Sequence, residues 1–489
     1  VVRGAAARRS PRSWEETLMR KPITSIATRL LAIAGLSLTL ADPAASQTIR
    51  STLTGTVTDP NGAVIAKVTV TATNLATNIA TTTRTNDEGL YTFTALAPGE
   101  YAISVEQTGF KRFVQTGVVL QIAQATRLDI PLEVGQVTEE VQVVGQSPLV
   151  RSTSSELGQV IDYKQIQSLP LNGRLFEQLV TLTPGAIPRG FADSAENPAA
   201  AGARSFVHHS VNGMPWSGNN YLLDGVANNE PLNAFINVTP PLEAIQEFKV
   251  QTNNPTAEFG VFGGAVVNLT IRSGTNRLNG SVFEYYRDDA LNARNFFAAT
   301  KAPFNSHQFG GTLGGPILRN KAFFFGDYQG LRQDQGRTFL FTVPTPEMRA
   351  GNLSAISNAI YDPLTGQRFQ GNIIPADRIN PIARGVNNVY PLPNLPGIVN
   401  NYIENNVQTN DLNAFDVRGD VNLESKGSLF GRYSRADRDF VDPPAGNQFM
   451  EQGNASNSGN YNAVVGHTYT FSGSKLNEFR FGVNKFDLA

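Results

Sequence analysis

Cysteine is missing altogether from the 489 residues, which excludes disulfides, thiol chemistry and every cysteine-based metal site. Charge is also scarce. Charged side chains make up 17% of the chain, against about 25% in ordinary domains. The 40 Lys+Arg nearly cancel the 41 Asp+Glu. A nucleic-acid binder needs a basic surplus to neutralise phosphates, so that class is excluded. Disorder needs low hydrophobicity and a large net charge, and neither holds. Histidine is rare: His208, His209, His307 and His467 complete the list. Only the first two are adjacent, and neighbours on a strand point to opposite faces. A metal site needs several converging ligands, so no metal and no cofactor is expected. The Gly-rich run from Phe309 to Pro316 lacks the Lys-Ser/Thr and the helix start of a phosphate loop. No Ser/His/Asp order or paired-carboxylate site stands out, and no enzyme is expected. Long apolar runs are missing too, since a membrane-spanning helix needs about 20 such residues.

What is there begins with a compartment. Residues 1–18 show no apolar period and read as an overextended start. From Met19, the order Arg20-Lys21, Arg29, apolar Leu30 to Ala41 and small Ala44-Ala45-Ser46 reads as a signal peptide over 19–46. An exported chain without hydrophobic helices is periplasmic, secreted, or an outer-membrane β-barrel.

Residues 47–135 alternate Thr with Val, Leu and Tyr at period two, broken every 8–12 residues by Asp59-Pro60-Asn61-Gly62, Asn86-Asp87-Glu88-Gly89 and Pro98-Gly99-Glu100. This reads as a small antiparallel sandwich. The pieces GTVTDPNG (55–62), TNDEGLYTF (85–93), LAPGEY (96–101) and TGF (108–110) resemble the carboxypeptidase regulatory-like domain. That resemblance implies a non-catalytic accessory module, with a structural or weak binding role.

Residues 136–150 read as a linker with one notable run, Glu139-Glu140-Val141-Gln142-Val143-Val144-Gly145. An acidic residue before alternating Val suits a peptide that adds to a partner's sheet edge. It reads first as the last strand of the sandwich, because period-two Val runs are what ordinary strands look like.

Residues 151–275 mix helix and strand. Tyr163 to Leu169 and Leu175 to Leu182 have near-helical apolar spacing; Glu247 to Gln251 and Ala265 to Ile271 read as strands. Asp224-Gly225 reads as a turn first and as a functional contact second. The pieces LPLNGR (169–174), LVTLTPG (179–185), YLLDGV (221–226), EAIQEFKV (243–250) and GGAVVNLTIRSGTN (263–276) resemble the plug domain of TonB-dependent outer-membrane receptors. More narrowly they resemble the Oar-like branch, whose members carry the same N-terminal sandwich.

Residues 276–489 carry independent physical support. Phe415, Val417, Gly419, Val421 and Leu423 alternate with Asp416, Arg418, Asp420, Asn422 and Glu424; Leu429, Gly431 and Tyr433 alternate with Phe430, Arg432 and Ser434; Phe479, Phe481 and Val483 alternate with Glu478, Arg480, Gly482 and Asn484. Apolar groups to lipid and polar groups to a wet lumen, over about 10 residues, is the pattern of a transmembrane barrel strand. Phe323-Phe324-Phe325 with Tyr328, and Phe283 with Tyr285-Tyr286, read as interfacial girdles. The Pro/Asn-rich stretch from Pro344 to Asp411 reads as a long extracellular loop.

The expected fold is therefore mainly β. It comprises a small β-sandwich, an α+β plug domain (151–275), and the first strands of an incomplete transmembrane antiparallel barrel (276–489), too few for the roughly 22 of a plugged transporter barrel. The resemblance implies an outer-membrane receptor that imports an unidentified extracellular ligand. Its partner would be the inner-membrane protein TonB, pulling a TonB box at Glu140, Val141, Gln142, Val143 and Val144, within outer-membrane lipid and with no nucleic acid involved. Arg418, Asp420, Arg432, Glu478 and Arg480 would line the lumen, and Asp224 and Gly225 would be plug contacts. An adhesion or secretion-associated protein on the same scaffold, or a carbohydrate-binding surface protein, are the alternatives.

Overall fold

The computed structural model describes residues 50–136, 140–144, 156–192, 206–231, 234–255, 258–259, 263–294, 301–423, 427–442, 444, 453–472 and 475–487. The expected signal peptide (19–46), the stretch 1–18, Glu139 and Gly145 lie outside them.

Ser51–Thr58 buries every second residue, so its Leu53 and Val57 enter an apolar core while its Thr side chains face outward. One sheet places Leu90–Leu96, Ser51–Thr58 and Ala125–Arg127 side by side, with Ile130–Pro131 also on Ser51–Thr58. The facing sheet runs Ala80–Arg84, Thr69–Asn74, Gly99–Glu106, Arg112–Leu120, Glu140–Val144. Val70, Tyr91, Phe93, Ile103 and Phe113 fill the space between. Gly55 is needed where it stands: a Cβ there would lie 1.8 Å from the Leu128 carbonyl oxygen, which also accepts from the Tyr91 hydroxyl at 2.6 Å.

The next unit is a five-stranded sheet in the order Leu157–Asp162, Ile245–Asn253, Val266–Ile271, Asn220–Leu223, Val226–Ala227. Val266–Ile271 is buried at every position, as a strand covered on both faces must be. Helix α1, Tyr163–Ser168, starts at a capping box in which Asp162 and Gln165 satisfy each other's backbone N–H. Phe176–Leu182, expected from near-helical spacing, is a 3-10 helix. Phe176, Leu179, Phe248, Val267 and Leu269 share one core. Residues 157–271 are called the inner unit below, because they pack on the concave face of the third element.

That third element is a seven-stranded antiparallel meander in which each strand pairs with the next: Asn279–Asp288, Phe304–Leu318, Ala322–Phe341, Tyr402–Asn422, Gly427–Asp442, Asn454–Ser472 and Lys475–Lys485. Its first and last strands do not pair with each other, so it is an open, partial barrel. Val417, Phe479 and Phe481 are exposed on the outer face, at 56%, 55% and 59%, while Arg418, Arg432 and Ser434 are buried on the inner one. Tyr402–Asn422 has 21 residues, about twice what crosses the hydrocarbon core, so half of it projects beyond the membrane. No helix of the described residues is long and apolar enough to cross a membrane.

Two sequence expectations are corrected. The loop expected from Pro344 to Asp411 ends at Asn401, because 402–411 is strand, paired residue for residue with Arg332 to Phe341. Its Asn- and Gln-rich composition is that of an inward-facing ladder, with Gln408 and Asn410 buried. The rest of that segment carries two short helices, α2 (Pro346–Arg349) and α3 (Pro381–Val389). Phe323 and Phe325 are not girdle residues: both are buried, and Phe325 joins the core of the inner unit. Phe283 and Tyr285 also turn inward, toward Arg174, whose guanidinium carbon lies 5.3 and 3.9 Å from their ring centres.

Candidate functional site between the inner unit and the barrel wall

Asn220–Leu223 and Val226–Ala227 form a tight hairpin joined by Asp224 and Gly225. Both linking residues have positive φ, 50° and 75°, the backbone a type I′ turn requires. Asp tolerates that region and also brings a carboxylate. The hairpin tip is pushed into the barrel wall, and Asp224 is fully buried.

Two barrel arginines meet it there. Arg418 donates from Nη1 to Asp224 Oδ1 at 3.0 Å, and Arg432 donates from Nε to Oδ2 at 2.7 Å. Each guanidinium is held from behind. Arg418 makes a two-point pair with Asp420, at 3.0 and 2.9 Å, and donates to the Ile271 carbonyl at 2.8 Å. Arg432 donates to Asn462 Oδ1 at 2.6 Å, to the Leu223 carbonyl at 3.3 Å and to the Ser434 hydroxyl, which in turn donates to Asp416. Charges this deep persist only when paired and fully hydrogen-bonded. The alternation therefore placed Arg418, Asp420 and Arg432 on the lumen side, and the fold gathers all three around Asp224 and Gly225. Glu478 and Arg480 pair with each other along the last strand instead. Phe430 lies between the two groups, with the Arg418 and Arg480 guanidiniums 5.0 and 6.0 Å from its ring centre.

A second attachment, not singled out from the sequence, is made of amides. Asn237 donates from Nδ2 to Asn484 Oδ1 at 2.6 Å and to the Lys485 carbonyl at 3.0 Å. Asn484 donates to the Asn229 carbonyl and Asn462 to the Ala227 carbonyl, both at 2.8 Å. Asn460 donates to the Asn237 carbonyl at 3.3 Å. The signal was available: Asn460 and Asn462 are both buried at period two, as inward-facing positions must be.

The two attachments meet along neighbouring register rows: Arg418 lies opposite Arg432, and two residues along from them runs the row that holds Asn462 and Asn484. Ser281, Thr312, Asp327, Asp416, Ser434, Asn462 and Asn484 lie opposite one another in turn across all seven strands. The row is small or polar at every position, as the wall of a wet lumen requires. Elsewhere Arg174 donates to Glu243 Oε1 at 2.5 Å, and Val238 packs on Leu331, Leu412, Ala414 and Ala436 of the wall.

The sandwich is tied in as well. The Ile122 backbone N–H donates to Glu247 Oε1 at 2.5 Å, and Lys249 Nζ donates to the Ala123 carbonyl and to Glu156, each at 2.6 Å. Burial pushes the Glu247 carboxyl up to about 7, against the lowering effect of the Ile122 N–H, with Asp162 adding to the rise. Arg50 reaches Ser428 at 2.9 Å, and the Asn276 N–H donates to the Ala76 carbonyl at 3.0 Å. A cavity of about 580 Å³ opens where sandwich, inner unit and barrel meet, lined among others by Arg50, Tyr101, Gln246, Arg418 and Lys475.

The candidate partner-binding residues Glu140–Val144 form a strand on the edge of the sandwich sheet. The described residues hold no group of three His, Asp or Glu placed to bind a metal ion.

Comparison with known proteins follows the same divisions. Residues 52–133 match the carboxypeptidase regulatory-like domain, and residues 270–489 match the outer membrane beta barrel domain. The TonB-dependent transporter Oar of Myxococcus xanthus is 29% identical over 297 residues, which are 57% of this chain and 26% of that protein. The chain thus spans about a quarter of the length of that relative. Similar solved structures include a ferric enterobactin receptor of Pseudomonas aeruginosa, at 13% identity over 67% of this chain and 41% of the receptor, with a TM-score of 0.40. Another is the outer membrane transporter YddB of Escherichia coli, at 10% identity over 66% and 38%, with a TM-score of 0.43. With lipid-facing apolar residues outside, a polar row inside and both domains matched, the chain carries an outer membrane beta barrel domain, which places it in the outer membrane, with a carboxypeptidase regulatory-like domain ahead of it, and it is similar to the TonB-dependent transporter Oar.

Proposed function

We propose that this protein is the receptor of a TonB-dependent import system, and that residues 151–275 act as its plug. The observation that carries the reading is the Asp224 contact with Arg418 and Arg432. A permanent structural filler is best held by apolar packing, because buried ion pairs return little net stability for their desolvation. Polar contacts concentrated on one hairpin tip suit an element that must hold and then let go. Ligand would bind outside, over the inner unit and the loop tips. TonB would pull on residues 139–145, and displacement of the hairpin would open a path past Arg418, Asp420, Arg432, Glu478 and Arg480. The mixed signs of these five leave the ligand's charge open.

The test is direct binding of the purified periplasmic domain of TonB to the protein in detergent. Binding that is lost on replacing Val141 and Val143 by Pro is the expected result, since proline cannot donate to a ladder. No binding by the unaltered protein would overturn the reading and favour an adhesion or secretion-associated role on the same scaffold.

A further inference from the structure

Glu140–Val144 lies in parallel against Arg112–Thr116, with Arg112 opposite Glu140, Val114 opposite Gln142 and Thr116 opposite Val144. Backbone N–H and C=O groups of a strand point alternately to its two sides. One side of this strand is therefore spent on the ladder, and no strand among the described residues occupies the other. Exposed edges are normally protected by Pro, Lys or inward-pointing charge. This one has neither Pro nor Lys; its sequence is Glu-Val-Gln-Val-Val. The opposite edge of the same sheet, Ala80–Arg84, is Thr-rich and ends on a cation.

We propose that the sandwich presents Glu140–Val144 as a ready-formed sheet edge to which the periplasmic domain of TonB adds a strand, so that the sandwich is part of the docking surface for the energy-coupling partner. This rests on the reading of residues 139–145 given above and deepens it. A free peptide loses its backbone freedom on capture, and that loss weakens binding. A strand already held by the sandwich has lost it beforehand. The edge also leads into the rest of the molecule: the ladder partner Arg112–Leu120 ends just before Ile122 and Ala123, which hold Glu247 and Lys249 of the inner unit. Load applied at this edge thus has a short, continuous route to Ile245–Asn253, the second strand of the inner sheet.

The absence of cysteine makes the test clean. Val114→Cys with Gln142→Cys places one thiol on each of two register partners, and the full-length protein in detergent is assayed against the purified periplasmic domain of TonB. The expected result is that the disulfide forms on mild oxidation and the locked protein binds within about threefold of the reduced one. Failure to cross-link overturns the proposal. So does a loss of about tenfold or more on oxidation that reduction restores, because the strand would then have to leave the sheet to be captured. Val141→Pro with Val143→Pro separates the two layers. Unchanged binding in that variant removes the reading of residues 139–145, and the proposal with it. Loss there together with loss in the locked protein removes only presentation by the sandwich.

Discussion

The inner unit is fastened to the barrel wall by two attachments of opposite chemistry on neighbouring register rows. At Leu223 to Val226 the fastening is ionic: one carboxylate shared by two guanidiniums, all deeply buried. At Ala227 to Val238 it is neutral, a lattice of Asn side chains reaching Asn460, Asn462, Asn484 and Lys485. Asn462 belongs to both, since it accepts from Arg432 and donates to the Ala227 carbonyl. Loss of a buried charged partner leaves an uncompensated charge, whereas loss of one amide leaves a few unmet neutral groups. The ionic attachment is the brittle one, and the amide lattice degrades by degrees.

The sharpest way to break the comparison is Asp224→Ala. It takes the paired carboxylate from Arg432, leaves Arg418 with Asp420 alone, and should cost about 3–5 kcal/mol, read as a lowered urea midpoint for unfolding in detergent. A cost no greater than that of an amide substitution would mean the two attachments do not differ in kind. The next effect in size concerns the tie to the sandwich. Burial raises the Glu247 carboxyl from 4.5 to about 7, so this junction is most stable below pH 4.5 and weakens as pH rises through 7, by at most about 3 kcal/mol. Glu247→Gln should flatten that dependence in a pH series of unfolding midpoints; an unaltered slope would place the titrating group elsewhere. Asn237→Ala removes donors to Asn484 and Lys485 and should cost about 1–3 kcal/mol, visible in the same urea series. At the small end, Lys485→Ala deletes only the exposed pair with Asp487. It should leave the midpoint unmoved, because surface pairs contribute little, and a clear loss would show that the lattice depends on charge after all.

Legibility followed from where each signal was stored. Alternation is local, so the lumen side of Arg418 and Arg432 could be read directly, and so could the turn at Asp224-Gly225. Their meeting could not: the contacts join residues 194 and 208 positions apart, and only docking of the inner unit decides them. Phe323-Phe324-Phe325 was ambiguous in phase, since three aromatics in a row satisfy either face, and two of them turned inward. The amide lattice and the strand residues 402–411 were missed for a shared reason. Asn and Gln are loop formers in water, yet on a barrel's inner face they are the natural wall residues. The edge strand Glu140–Val144 read first as a sandwich strand, which it is, and second as a partner peptide, because both uses need the same period.

The two-residue turn at the hairpin tip carries a mechanical consequence. Both of its residues are fixed in left-handed backbone, so Asp224 cannot swing aside by a local rotation while its neighbours stay in place. The carboxylate, the Leu223 carbonyl and the strand that bears them must withdraw together, taking the contacts to Arg418 and Arg432 with them. Under a rising pull, such a joint holds nearly rigid and then yields in a single step. If the inner unit acts as the proposed plug, tension below that yield point would leave the passage shut, which would protect the outer membrane from leakage whenever the pull is weak or brief.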